Sequence, residues 1–304
     1  MIAFIILIFA PWIWAQDFNF LFTPAAPASQ LAFENLTQPQ EQLQNQEGKS
    51  KLLKNRLLLG HTIRTEKIDY VVGANYLHLD MDKQGILRDY TQYQLSLGVR
   101  KNLANNKFWF ANLSYGAASD RPFKNADDDT ISGNYIRKLS EKWFLAVNYS
   151  NNRSFLNNVP LPGFFYLKDL SREKTTVIGF PFLLLMRNVG DWSFRYLGLL
   201  PWTHQARVSY SKFFIFQPYL GYEQEVMNFF RHDRDQSNQR TFFFQRKLGL
   251  GVDIKLIKSL KFDLFMGHAF DREIFEAKNF SDKKSREIRF ADSLFIETKL
   301  SYSF

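Results

Sequence analysis

From Leu294 to Phe304 the chain alternates. Leu294, Ile296, Leu300, Tyr302 and Phe304 fall on one face, with Thr298 as the break, while Glu297, Lys299, Ser301 and Ser303 fall on the other. A period of two over this length predicts a β-strand with one apolar and one wet face. The pattern recurs upstream. Tyr70, Val72, Ala74 and Tyr76 share a face; Tyr93, Leu95, Leu97 and Val99 alternate with Gln92, Gln94, Ser96 and Arg100; Trp109, Ala111, Leu113 and Tyr115 follow. Further strands are expected over 131–139, 143–149, 178–186 and 192–200, through Ala206, Val208 and Tyr210, and over 216–224, 242–256 and 260–270. Counted back from Phe304, this makes about twelve strands beginning near Tyr70.

The connections alternate in length. Short turns are predicted at 101–106, 140–141, 187–191, 212–214 and 257–259, and longer polar connections at 80–89, 118–129, 151–174, 227–240 and 271–291. One end of tight turns and one of long loops is the plan of an antiparallel transmembrane β-barrel. The segment Leu52–Arg64 is left over by this count, and the connection Leu200-Pro201-Trp202-Thr203 is short where a long one is due. A chain closing on such an aromatic strand looks like a bacterial outer-membrane β-barrel. That resemblance implies that Tyr302 and Phe304 form the signal read by the barrel-assembly machinery, and that outer-membrane lipid and lipopolysaccharide surround the wall.

Composition agrees. The 304 residues include 32 Phe and 13 Tyr, yet the mean hydropathy is only −0.29. A helical span needs about 20 consecutive apolar residues, and the one long apolar run, Ile2 to Ala15, falls short of that. It reads as the apolar region of a signal peptide over 1–15, with no Lys or Arg before it. Residues 16–50, with Pro24, Pro27, Pro39 and many Gln, read as a polar periplasmic linker. The barrel is then assigned to 51–304, and the competing fold is a soluble β-sandwich. Cysteine is absent, which excludes disulfides, thiolate metal sites and a cysteine-linked lipid anchor. The net charge is +9 without a Lys/Arg block, so nucleic acid is not an expected partner.

If the aromatic faces meet lipid, the alternate residues point into the lumen. That set contains Arg100, Arg195, Arg207, Lys247, Lys255, Lys261 and Lys299, with Asp253, Asp263 and Glu297. Each such charge would cost about 2–4 kcal/mol on the lipid face near the midplane. They either neutralise one another and plug a narrow barrel, or leave a positive surplus that favours anions.

Enzymatic chemistry finds no foothold. The five histidines include no His-x-Ser pair; His232 lies in a charged loop and His268 on an outward face. Asp80-Met81-Asp82-Lys83-Gln84-Gly85 resembles the start of a calcium loop but has Thr91 at its twelfth position, and Asp127–Asp129 reads as a solvated acidic loop. No cofactor is expected.

Two stretches are similar to an uncharacterised outer-membrane β-barrel family known only as a domain of unknown function. They are Ala117-Ala118-Ser119-Asp120-Arg121-Pro122-Phe123, and Ile178-Gly179-Phe180-Pro181 leading through Gly190-Asp191-Trp192 to Leu199-Leu200-Pro201. The resemblance spans about residues 60–304 and implies no catalytic residues. Independently of it, Pro201 belongs at a strand end, while Pro181 suggests a bulge within a strand. The expectation is a non-enzymatic, porin-like barrel: a narrow passive pore for small solutes, anions among them, or else a non-conducting structural or surface-binding barrel.

Overall fold

Alternation along the chain is converted into a single closed antiparallel sheet. The computed structural model describes residues 29–304 except Gln84, Asn106, Phe155, Arg172, 200–202 and Phe214. The expected signal peptide and the first part of the expected linker lie outside those residues. The strands are β1 (Ser29–Gln42), β2 (Lys49–Arg64), β3 (Ile68–Met81), β4 (Tyr90–Asn102), β5 (Phe108–Ser119), β6 (Asp129–Lys138), β7 (Trp143–Ser150), β8 (Leu161–Leu170), β9 (Lys174–Phe180), β10 (Phe182–Val189), β11 (Trp192–Leu199), β12 (Thr203–Tyr210), β13 (Phe216–Phe229), β14 (Arg240–Lys255), β15 (Leu260–Ala277), β16 (Ser285–Arg289) and β17 (Ser293–Ser303). From β1 to β16 each strand pairs with its neighbours in sequence, and β1 pairs with both β2 and β17, so the sheet closes on itself. Both β16 and β17 pair with β15. They are two parts of one stave, broken where Phe290 bridges Leu43. Among the described residues seventeen strands thus occupy sixteen staves, not about twelve.

Four staves escaped the alternation, each for a local reason. β1 comes from the segment read as a linker: its buried face carries Glu34 and Gln38 beside Ala32 and Leu36, so polarity does not separate the faces. Pro39 sits where the register against β2 shifts, a position that needs no N–H. β2 is the leftover segment; its leucines fall on both faces, with Leu52 and Leu58 buried and Leu59 exposed. β8, inside the expected 151–174 loop, puts Phe165 inward and Phe164 outward. The strand expected over 178–186 is instead a hairpin. Ile178 pairs with Leu183, and Pro181 stands at the turn rather than in a bulge.

These additions come in twos, so the assignment of loops to ends is unchanged. One end carries Ser29, Phe304 and the turns at 65–67, 103–107, 139–142, 171–173, 190–191, 211–215 and 256–259. Ser29 and Phe304 exchange backbone hydrogen bonds of 2.8 and 3.0 Å. The other end carries the longer loops. There β9–β12, of 7 or 8 residues each, stop well below β13–β15 and β1–β3, of 14 to 18 residues. The rim is therefore low on one side, which accounts for the short connection before Thr203. Above that low side the tall strands close on themselves: Ser119 at the end of β5 forms a parallel bridge with Phe230 beyond β13. Inside this upper part Leu52, Leu79, Met81, Tyr90, Phe229, Phe243, Ile274 and Phe290 form a packed core.

The outer surface reverses the usual order. Leu31, Phe33, Leu59, Leu95, Leu97, Leu113, Leu248, Leu250, Met266, Leu294, Ile296 and Leu300 are all exposed, making a continuous apolar belt. Rings pair at its turn-end margin: Trp143 with Tyr166, Trp192 with Tyr210, and Tyr302 with Phe304, at centroid distances of 4.9, 4.9 and 5.3 Å. At the opposite margin of β1–β4 the belt ends in a polar row, where Asn35 bonds Asn55 and His78 bonds Thr91.

Candidate functional site: an enclosed charged layer

The inner face of the barrel is divided. On β8–β10 and the turn-end halves of β5–β7 it is apolar, with Phe108, Phe110, Ile136, Phe144, Phe165, Val177, Phe182, Leu184 and Met186 in one buried cluster. On β12–β17, β1 and β2 it is charged. Two ammonium groups lie at the centre of this charged face. Lys54 Nζ is 2.7 Å from Glu34 and 3.2 Å from Glu225, and Lys247 Nζ is 2.8 Å from Glu223 and also bonds Glu297. Lys54, Lys247 and Glu225 have at most 1% of their side-chain surface exposed. An ion buried alone is prohibitively costly in such a place, and only partners and hydrogen bonds keep it charged. Here each ammonium has two carboxylates. A chain of amides continues the layer: Gln245 donates to Glu225 at 3.1 Å, Gln38 to Gln245 at 2.9 Å, and Arg272 to Gln38 at 2.5 Å.

Toward the turn end the charges become wetter. Arg207 spans Asp253 at 2.9 Å and Asp263 at 3.3 Å, with side chains 26%, 39% and 19% exposed. Asp253 and Asp263 face each other across β14 and β15, a like-charge pairing that is unfavourable without a cation between them. Tyr219 donates to Asp263 at 2.9 Å, and its ring lies 3.7 Å beneath the Arg207 guanidinium. Lys255 and Lys261 are also directly opposed, Lys255 exposed and Lys261 half-buried. Lys299 stands across from Asp263 on one side and Glu34 on the other. Arg195 is half-buried opposite Arg207. Arg100 lies apart on β4, buried with its guanidinium 4.6 Å over the Phe108 ring. The structure thus gathers nine of the ten charged residues named from sequence, Arg100 being the exception, and adds Glu34, Lys54, Glu223 and Glu225. Glu223 and Glu225 were legible as alternates of Leu220 and Tyr222; Glu34 and Lys54 belonged to staves the alternation did not reveal.

The loops above are tied by ions as well. Arg88 bridges Asp120 at 2.9 Å and Asp233 at 2.8 Å, and buried Asp128 pairs with Arg234 at 2.5 Å. Asp80 pairs with Lys51 and Asp89 with Lys83. Among the described residues no group of three or more His, Asp or Glu is placed to hold a metal ion. Burial would raise the Asp233 carboxyl, but the hydrogen bond from Arg88 and the charges of Arg231 and Arg88 hold it down at about 2, below the ordinary 3.8. A group depressed on folding stabilises above its unfolded value. The Arg88–Asp233 tie should therefore be fully present above pH 3.8 and fade as the pH falls toward 2. Because Asp233 is 55% exposed, the contribution is small. Titration of its carboxyl carbon by NMR checks this, and a midpoint at or above 3.8 would contradict it.

No family model matches the chain, and no curated protein matches it. Solved structures do show similarity. The Pseudomonas putida toluene transporter TodX aligns with 95% of this chain and 92% of its own, at 8% identity and a TM-score of 0.42. An outer membrane channel from Pseudomonas putida F1 aligns over 92% and 96%, at 10% identity and 0.36. The translocator domain of the Neisseria meningitidis autotransporter NalP aligns over 95% and 92%, at 10% identity and 0.32. These similarities are too slight to carry the function of any of them to this chain.

Proposed function

We propose that this chain is an outer-membrane β-barrel forming a narrow, gated pore for small polar solutes, held closed here by the Lys54–Lys247 carboxylate layer. The observation that carries the reading is the gradient of exposure along the charged wall. Water reaches Lys255 and Asp253, partly reaches Arg207 and Asp263, and does not reach Lys247 or Lys54. That is a vestibule open at the turn end and shut at its inner limit. Ionisable groups at membrane depth are expensive and usually mark a path or a switch, whereas a purely structural barrel could be filled with apolar side chains alone. The apolar belt, with its paired rings, supports a lipid-facing wall. In this reading the long-loop end faces outward, where the exposed Lys49, Lys51, Lys124, Lys278 and Lys283 would meet lipopolysaccharide phosphates. Arg195, Arg207, Lys255, Lys261 and Lys299 outnumber Asp253 and Asp263 in the vestibule, which disfavours cations relative to anions. Planar-bilayer recording of the purified protein tests the reading. Small, intermittent single-channel steps with an anion-biased reversal potential are expected, and the absence of any step under all voltages would leave the non-conducting barrel as the better account.

A further inference from the structure

Between the charged wall and the apolar wall lies a third inner surface that neither reading uses. Inward positions on four adjacent strands form two cross-strand rows. Ser96, Ser114, Ser132 and Ser150 face one another in register from β4 to β7, and beside them run Asn112, Asn134 and Asn148 from β5 to β7. The rows are bonded internally. Ser96 and Ser114 hydroxyls are 2.8 Å apart, Ser114 donates to Asn112 at 3.2 Å, and Asn148 donates to Asn134 at 2.5 Å. Gly73 stands across from Ser96, where an added Cβ would meet only Leu59 O at 3.4 Å and Ser96 Cβ at 3.6 Å, so the serine row has room at that edge; the space above Gly98, across from Asn112, is taken by Phe110 and Val71. Ser96, Ser132, Asn134 and Asn148 are only partly buried.

Two further amides sit at the edge of these rows, and each uses only one of its polar ends. Gln94, 8% exposed, donates to Ser132 at 3.3 Å while its carbonyl oxygen has no partner. Asn75, also 8% exposed, accepts from Arg56 at 3.1 Å while its amide nitrogen has none. Whichever way each amide is turned, one end is left over. A buried acceptor and a buried donor, adjacent across β3 and β4, are costly unless something polar meets them. The row residues are neutral, and every one of them can both donate and accept. Two guanidinium groups bordering the surface are engaged, Arg56 with Asn75 at 3.1 Å and Arg153 with Asn148 at 2.7 Å.

We propose that this serine–asparagine surface, bounded by Gln94 and Asn75, binds a neutral, hydroxyl-rich solute of the sugar or polyol class. Such a molecule carries donors and acceptors at each hydroxyl and no charge for which the surface offers a counter-ion. This names a solute for the pore reading but concerns binding, so the two can fail separately.

The test uses full-length protein in a non-glycosidic detergent, with sucrose as the probe and sodium glutamate as the charged comparison. Saturation-transfer NMR should show transfer to sucrose and not to glutamate. Asn134→Val and Gln94→Leu should each weaken the sucrose signal about tenfold, with heat-modified gel mobility confirming a folded barrel. Ser132→Ala, which removes one hydroxyl and no volume of consequence, should weaken it less and serves if the larger changes do not fold. No transfer to sucrose in the wild type, equal transfer to glutamate, or full retention in folded variants would overturn the proposal. Sucrose binding without bilayer current would uphold this site and defeat the pore; current without binding would do the reverse.

Discussion

Lys247→Met should destabilise the folded barrel by about 3–5 kcal/mol. The ammonium is fully enclosed and answers two carboxylates, Glu223 and Glu297. Methionine replaces the unbranched apolar stem but not the terminal ammonium, and leaves Glu223 and Glu297 without the cation between them. One of them must then take up a proton or draw in water. The loss should follow from the uncompensated charge rather than from a cavity, and a companion variant separates the two. Lys247→Met with Glu223→Gln and Glu297→Gln removes all three charges at little change in volume, and should recover most of the loss, because replacing a whole buried ionic group is often neutral. Urea-induced unfolding followed by tryptophan fluorescence measures both. A loss below about 1 kcal/mol for the single variant would mean that water already reaches this layer. In bilayers the single variant should also open more often than the wild type, since the same layer closes the path.

Leu250→Arg should cost about 2–4 kcal/mol when the protein is folded in lipid. Leu250 is 66% exposed and points outward from the middle of the β14 belt, between Arg246 above and the 256–259 turn below. A guanidinium there cannot reach either headgroup layer without distorting the bilayer. Leu256→Arg offers the contrast. That residue is also exposed, but it stands at the turn, where the expected cost falls to about 0–1 kcal/mol. Equal costs for the two positions in a lipid refolding assay would show that the belt is not a membrane-facing surface.

How much of this was legible before the structure depends on whether one side of a strand differs chemically from the other. β17 separates its faces almost completely: Leu294, Ile296 and Leu300 are exposed, while Phe295 and Glu297 are enclosed. It could be read residue by residue, and the end at which each loop lies followed from it. β2 and β8 place leucine or aromatic residues on both faces, because the upper barrel and the β8–β10 wall are filled with apolar side chains rather than water. A period-two signal needs a wet lumen, and there it vanishes. β9 and β10 failed for a different reason. The turn at Pro181 has no polar run to announce it, since the rim there sits within the apolar zone.

The charged residues were legible singly but not as pairs. Lys54 and Glu225 are 171 positions apart, and Lys247 and Glu297 are 50 apart. Nothing along one strand indicates which distant acid a lysine will meet; that is decided by register and by how far the walls approach each other. The serine and asparagine rows were hidden in the same way. Each of β4 to β7 contributes only one or two small polar residues, and only the register lines them up.

We propose a barrel that spans a membrane with its vestibule open toward the turn end and shut at the charged layer. Because the chain contains no cysteine, single cysteines report on this without background. Labelling of Lys261→Cys by a bulky, membrane-impermeant maleimide is the most direct measurement. It should be slow in intact cells and rapid once the periplasm is opened, whereas the external-loop variant Lys83→Cys should react in both. Rapid labelling of Lys261→Cys in intact cells, at the rate found for Lys83→Cys, would contradict the claim.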